Sequence, residues 1–197
     1  MSDSRISDAT EPAATGDLVV VATGSIVSVM LPSYLQEIRA LTPVPLTVVL
    51  THSALRFVSA EVAGWFADRV VVPDQSGVNP VELATRARAV ACLPATGNTI
   101  ATAALGLMPT TASTVLGVAS GPVLYFPQMH EQVWRGPVMQ RHLAALREAG
   151  HVVVDPQTAL SYRMSEAREV ESWTMPAPDK AAELLMSWFE GLDRCSV

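Results

Sequence analysis

Leu18-Val19-Val20-Val21-Ala22 is apolar at every position and rich in β-branched residues. A strand with one wet face alternates apolar and polar side chains. A strand apolar throughout needs cover on both faces, which is the mark of a parallel sheet. Similar runs recur at Leu46-Thr47-Val48-Val49-Leu50, at Val70-Val71-Val72, over 89–93 and 121–126, and at His151-Val152-Val153-Val154. Between them lie stretches with helical spacing: Ile26, Val29, Met30 and Leu35, then 54–66, then 100–119 with a break near Pro109. Val70-Val71-Val72 is followed by a loop containing Asp74, Gly77 and Pro80. A further helix runs from Pro137, well placed in a first turn, to about 149, with Gly150 behind it. This alternation predicts an α/β fold, a parallel sheet with helices on both faces.

Two regions break the pattern. Residues 1–16 are polar and are expected to form a disordered tail, leaving 17–197 as one domain. Residues 156–176 carry Arg163, Glu166, Arg168, Glu169 and Glu171 and end in Trp173-Thr174-Met175-Pro176. A long irregular segment in a compact domain is a functional flap or a disordered stretch. An amphipathic helix over 178–192 closes the chain.

Composition narrows the function. Hydrophobic residues make up 49% of the 197 positions and charged ones 16%, so part of the apolar surface is expected to face a partner subunit. A net charge of −6 argues against a nucleic-acid partner and leaves a peptide open. Cys92, inside an apolar strand, and Cys195, in the tail, form neither a disulfide framework nor a metal spacing, so no metal is expected and Cys92 reads as a buried thiol. No run approaches the roughly 20 apolar residues of a membrane helix. The first residues lack the features of a signal peptide, and a cytoplasmic location is expected.

Four loops follow the apolar runs. Thr23-Gly24-Ser25 reads either as a helix cap or as a phosphate cradle, in which glycine permits close approach and the helix N-terminus supplies donors. Thr51-His52-Ser53 has the same two readings, and the neighbouring turns together suit a mononucleotide. Pro94-Ala95-Thr96-Gly97-Asn98-Thr99 ends its strand with proline. Its small residues free backbone amides for a flat heteroaromatic edge, with Asn98 as both donor and acceptor; a plain strand-end turn is the alternative. Pro127-Gln128-Met129-His130-Glu131-Gln132-Val133-Trp134 gathers Met129, His130 and Trp134 in one loop, as ligands or as core residues with a surface histidine. The ends of parallel strands are where open α/β sheets bind ligands.

Taken together, the two proline loops resemble the flavin-containing cysteine decarboxylase family, whose signatures are a PASANT loop and a PxMNxxMW loop. Pro94, Ala95, Asn98 and Thr99 match the first; Pro127, Met129 and Trp134 match the second. Ala22-Thr23-Gly24-Ser25-Ile26 resembles the family's first phosphate loop and 53–58 its second, so the resemblance runs from about Leu18 to Val154. It implies a flavodoxin-like or Rossmann-like fold and a homo-oligomer, trimer or dodecamer. The implied cofactor is FMN, with FAD as the alternative. The implied cofactor-binding residues are Gly24, Ser25, Ile26, Thr51, Ser53, Phe57, Pro94, Ala95, Thr96 and Asn98.

Within the family, the coenzyme A enzymes resemble one another in carrying a cysteine in the flap, and 156–176 has none. Thr174-Met175-Pro176 resembles the flap end of the peptidyl-cysteine decarboxylases of lanthipeptide-type pathways. The implied substrate is thus the C-terminal cysteine of a ribosomally made precursor peptide, met by Met129, His130, Trp134, Thr174, Met175 and Pro176. Oxidation of its Cα–Cβ–S unit to a thioaldehyde and loss of CO2 would leave an aminoenethiol. Phosphopantothenoylcysteine decarboxylase and a non-catalytic flavin-binding subunit are the rival expectations. The chain departs from the family twice: Pro80 stands at the position of its catalytic histidine, and His130 at that of its carboxylate-binding asparagine. The expectation is that His130 takes over part of both roles, as imidazolium toward the carboxylate and as imidazole toward the thiol.

Overall fold

The computed structural model describes residues 16–163 and 167–194; apart from Gly16 the expected N-terminal tail lies outside them, as do Glu166 and Cys195. Six strands, β1 (Leu18–Ala22), β2 (Leu46–Leu50), β3 (Arg69–Val71), β4 (Ala89–Ala95), β5 (Val123–Pro127) and β6 (Val152–Val153), form one sheet. Its order is β3-β2-β1-β4-β5-β6, and every pairing is parallel.

The apolar runs lie where two-sided burial demands. All five residues of β1 are inaccessible to solvent. Leu18, Val20 and Ala22 enter one core layer, while Val19 and Val21 enter the layer on the opposite face. The first layer is closed by α1 (Leu31–Leu41) and the C-terminal helix α8 (Pro178–Arg194), which pack on each other. The second is covered by α4 (Gly97–Ala104), α5 (Thr111–Gly117) and α7 (Pro137–Glu148). Thr47, the one polar position of β2, is fully buried, and its hydroxyl donates to Asp17 Oδ2 at 2.6 Å. A buried hydroxyl is tolerated because that bond replaces its lost water.

Strand order reverses at β1. The chain steps from β1 to β2 and β3 on one side, then crosses to β4 on the other. The crevice at the C-terminal ends of β1 and β4 lies at this reversal, which is the place this topology reserves for ligands.

The structure differs from the sequence expectations in several elements. Residues 156–176 are not irregular: β7 (Gln157–Arg163) and β8 (Arg168–Thr174) form an antiparallel hairpin. In β8, Val170 is buried while Glu169 and Glu171 are exposed, an alternation that the charge count concealed. The helix expected over 54–66 is a 3-10 turn (Ala54–Arg56) and α2 (Ala60–Gly64), separated where the Ser59 side chain caps the Val62 amide. Pro80 does not lie in a loop but opens α3 (Pro80–Arg86), with the Asn79 side chain accepting from the amides of Val81 and Glu82. A 3-10 turn (Ile26–Met30) precedes α1, and β4 continues through a cis Leu93–Pro94 bond to Ala95.

Candidate functional site

The four loops open around the β1/β4 crevice. Thr23, just past β1, is 3% exposed, and its hydroxyl donates to the Pro94 carbonyl at 2.8 Å. The same oxygen accepts from the Thr96 amide at 3.1 Å. One side chain therefore joins the turn after β1 to the loop after β4. Next to it, the Thr51 hydroxyl donates to the Ala22 carbonyl at 3.3 Å and accepts from the Ala54 amide at 3.2 Å. A Cβ on Gly24 would lie 2.2 Å from the Ser53 Cβ, so only glycine lets the two turns approach this closely.

These turns form one side of a cleft of about 480 Å³. Of the expected cofactor residues, Gly24, Thr51, Ser53, Thr96 and Asn98 line it. The other five do not. Pro94 and Ala95 are buried in β4 and contribute backbone: the Ala95 carbonyl accepts from the Gln128 amide at 2.9 Å. Ser25 caps the following 3-10 turn, its hydroxyl accepting from the Val27 amide. Ile26 faces solvent at 70% exposure. Phe57 is half-buried beyond the second turn, its amide donating to the Ala54 carbonyl at 2.9 Å.

The opposite side comes from residues to which sequence reasoning gave no role. Thr102 and Ala103 of α4, and Pro109, Thr110, Thr111 and Ser113 around the start of α5, line the cleft. The break at Pro109 was visible in the sequence; that it turns α5 back over the crevice was not. His52 and Asp74 complete the lining, with His52 Nε2 3.1 Å from Asp74 Oδ2. The cleft thus combines hydroxyls, free backbone around a glycine, and an amide side chain. Such a set can hold an anionic group at the Gly24–Ser53 end and a flat polar-edged ring at the Asn98 end.

The second proline loop lies beside the first, with Pro127 registered against Ala95. A Cβ on Gly97 would lie 3.3 Å from Met139 Cε and 3.8 Å from Met129 Sδ, so Met129 packs against the ring-edge loop. Trp134 is buried in the sheet's second core layer. His130 is exposed, and its Nδ1 accepts from the Gln132 amide at 3.2 Å, capping the short helix α6 (Glu131–Trp134). None of Met129, His130 and Trp134 lines the cleft.

Instead this loop holds the end of the hairpin. Gln128 Oε1 accepts from the Met175 amide at 2.8 Å and from the Thr174 hydroxyl at 3.1 Å. The Tyr34 hydroxyl donates to the Pro176 carbonyl at 2.8 Å, and burial, with Asp179 nearby, pushes that phenol up to about 12. Trp173 lies 6.4 Å from Trp134, ring centre to ring centre, with the Arg135 guanidinium 5.0 Å over its own ring. Gln128 therefore ties Thr174 and Met175 to the loop that carries Met129, His130 and Trp134, beside the first proline loop.

Cys92 is fully buried in β4, where burial pushes its thiol up. It does not line the cleft.

The sequence and the fold have known relatives. The family model described as Flavoprotein matches residues 6–176. Mersacidin decarboxylase of Bacillus sp. (strain HIL-Y85/54728) is 27% identical over 169 residues, spanning 83% of this chain and 86% of that protein. The coenzyme A biosynthesis bifunctional protein CoaBC of Mycobacterium bovis is 34% identical over 134 residues, 62% of this chain but 32% of that protein. The crystal structure of TvaF, an FMN-dependent cysteine decarboxylase from thioviridamide biosynthesis, superposes with a TM-score of 0.66 at 29% identity, covering 70% of this chain and 88% of TvaF.

Proposed function

The chain belongs to the flavoprotein family, and from that premise we propose that it oxidatively decarboxylates the C-terminal cysteine of a ribosomally made precursor peptide, with FMN as cofactor. The observation that carries this reading is the double use of the two proline loops. The first presents Thr96 and Asn98 to the cleft, and the second holds Thr174 and Met175 through Gln128. A cofactor cleft and the anchored end of a substrate flap thereby share one wall.

The cleft suits FMN on its own chemistry. Gly24 lets the turn after β1 lie directly against Ser53, and the Ser53 hydroxyl stands beside it for a phosphate, while the Thr51 hydroxyl ties the second turn to β1. Thr96 and Asn98 are placed to orient the ring edge. When bound, a flavin supplies a two-electron, two-hydrogen sink. The protein's part is to hold the peptide's C-terminus over it and to manage charge and protons. His130 is assigned both tasks in this reading. Its Nδ1 already accepts the Gln132 amide, so in the neutral ring Nε2 carries the hydrogen and is the atom that can donate to a carboxylate. To take the thiol proton at Nδ1 the ring must first release that amide.

Homo-oligomerisation, as a trimer or dodecamer, is part of the same reading. It is supported by exposed apolar side chains such as Ile26 at 70%, Leu105 at 62% and Val138 at 55%. A Cys-terminated peptide incubated with the flavin-loaded protein is expected to lose about 46 Da, as CO2 and two hydrogens. An unchanged peptide mass beside a fully loaded protein would overturn the activity.

One other reading has a specific observation behind it. The 34% identity to the bifunctional coenzyme A protein favours phosphopantothenoylcysteine as substrate. Offering both substrates in parallel separates the two. Pro80, at the position of the family histidine, leaves room for a non-catalytic flavin binder, which would retain flavin and peptide but release no CO2.

A further inference from the structure

Among the described residues the cleft is lined by two ionisable side chains, His52 and Asp74, and by no lysine or arginine. They come from separate loops, His52 from the turn after β2 and Asp74 from the loop after β3. Nε2 of His52 lies 3.1 Å from Asp74 Oδ2, and the two side chains are 70% and 87% exposed. An isolated polar pair so open to water contributes little to folding. Asp74 moreover adopts a φ of +58°, in the left-handed region that most residues avoid. Stability is therefore a poor account of why the pair spans the cleft mouth.

Orientation is a better one. The carboxylate engages Nε2, and Nδ1 of His52 has no hydrogen-bond partner among the described residues. A ring protonated at both nitrogens donates to Asp74 from one and offers the other to an anion. The adjacent groups, Gly24 and Ser53, supply backbone and a hydroxyl but no charge. A doubly charged phosphate seated there would otherwise meet only neutral donors, and a charge-assisted bond is considerably stronger.

We propose that His52, held by Asp74, is the cationic ligand of the phosphomonoester end of the flavin, and that this pair makes the cleft prefer FMN over unphosphorylated riboflavin. The assignment rests on the reading of the cleft as a flavin site. It gives a specific role to His52, within the second phosphate turn, and one to Asp74, which lies outside both proline loops and both phosphate turns.

The test is a titration of the flavin-free full chain with FMN and with riboflavin, followed by flavin fluorescence. His52→Gln keeps a hydrogen-bonding side chain but cannot carry charge. It is expected to lose about tenfold in FMN affinity with riboflavin affinity unchanged, and the salt dependence of FMN binding should flatten. Unchanged riboflavin binding also shows that the variant is folded. An unaltered preference for FMN, or an equal loss for both flavins, would overturn the assignment. Uptake of neither flavin by the unaltered protein would instead overturn the flavin site itself, and the assignment with it.

Discussion

Thr23 and Pro94, 71 positions apart in the chain, are joined by a 2.8 Å hydrogen bond from hydroxyl to carbonyl across the point where strand order reverses. The same hydroxyl oxygen accepts the Thr96 amide. Replacing Thr23 by valine keeps the volume and removes both bonds, leaving the Thr96 amide without this acceptor and the buried Pro94 carbonyl with the longer bond from the Thr23 amide at 3.3 Å. The expected cost is about 1–3 kcal/mol of stability, read by denaturant unfolding. Flavin affinity should fall with it, because the two loops lose their common tie.

Gly24→Ala tests the cradle separately. The added methyl would lie 2.2 Å from Ser53 Cβ, so the turns after β1 and β2 must part. Overpacking of this kind costs about 1–3 kcal/mol. The purified variant should retain far less flavin than the unaltered protein; full flavin occupancy would remove the cradle from the argument.

Gln128 should act on the peptide and not on the flavin. Its Oε1 is the acceptor for both Thr174 and Met175, so Gln128→Leu frees the end of the hairpin, whereas Gln128→Glu still offers an acceptor oxygen. The leucine variant is expected to raise KM for a Cys-terminated peptide about tenfold, the equivalent of one lost bond to a buried amide, with flavin content unchanged. The glutamate variant should restore most of it. Equal KM values in all three proteins would show that the hairpin is held by other contacts.

For His130, replacement by alanine should slow peptide decarboxylation about 100-fold, the lower end of what proton transfer by a positioned side chain contributes. Peptide mass change with time is the measurement, and His130→Asn, which reinstates the family's residue, separates carboxylate binding from proton transfer. Full turnover in both variants would remove His130 from the mechanism.

His151 provides a pH test of the fold. Its Nδ1 accepts from the Val123 amide at 3.1 Å, and burial lowers its pKa below the usual value of about 6.5. A histidine lowered on folding binds fewer protons in the native state. Its contribution is therefore fully present above the unfolded value and is lost as pH falls through the folded one. Melting temperature should drop on acidification below about pH 6.5, and less steeply in His151→Gln. Parallel curves for the two proteins would exclude the effect.

How much of this was legible in the sequence depended on whether local pattern or long-range contact decided the outcome. The parallel sheet was readable because β1, β2 and β4 are apolar at nearly every step, and two-sided burial imposes that locally. Gly24, Thr51, Ser53, Thr96 and Asn98 were readable because each lies directly after such a strand. His52 and Asp74 were not, since their pairing joins two loops whose approach is set by the register of β2 on β3. The wall built from α4 and α5 was hidden for the same reason. The hairpin was missed because its charges masked the alternation around Val170, and Ser25 and Phe57, expected to bind the cofactor, do not line the cleft because a motif match gives position along the chain, not the direction of a side chain.

Trp173 lies beside Trp134 and beneath Arg135, which places an indole at the junction of hairpin and sheet. Indole emission responds to nearby charge and to a neighbouring indole, and both neighbours here belong to the segment that follows β5. The protein therefore contains its own optical reporter at the base of the hairpin. Lifting that base would alter tryptophan fluorescence without any added label, so the seating of the flap can be timed against the appearance of product in the same cuvette.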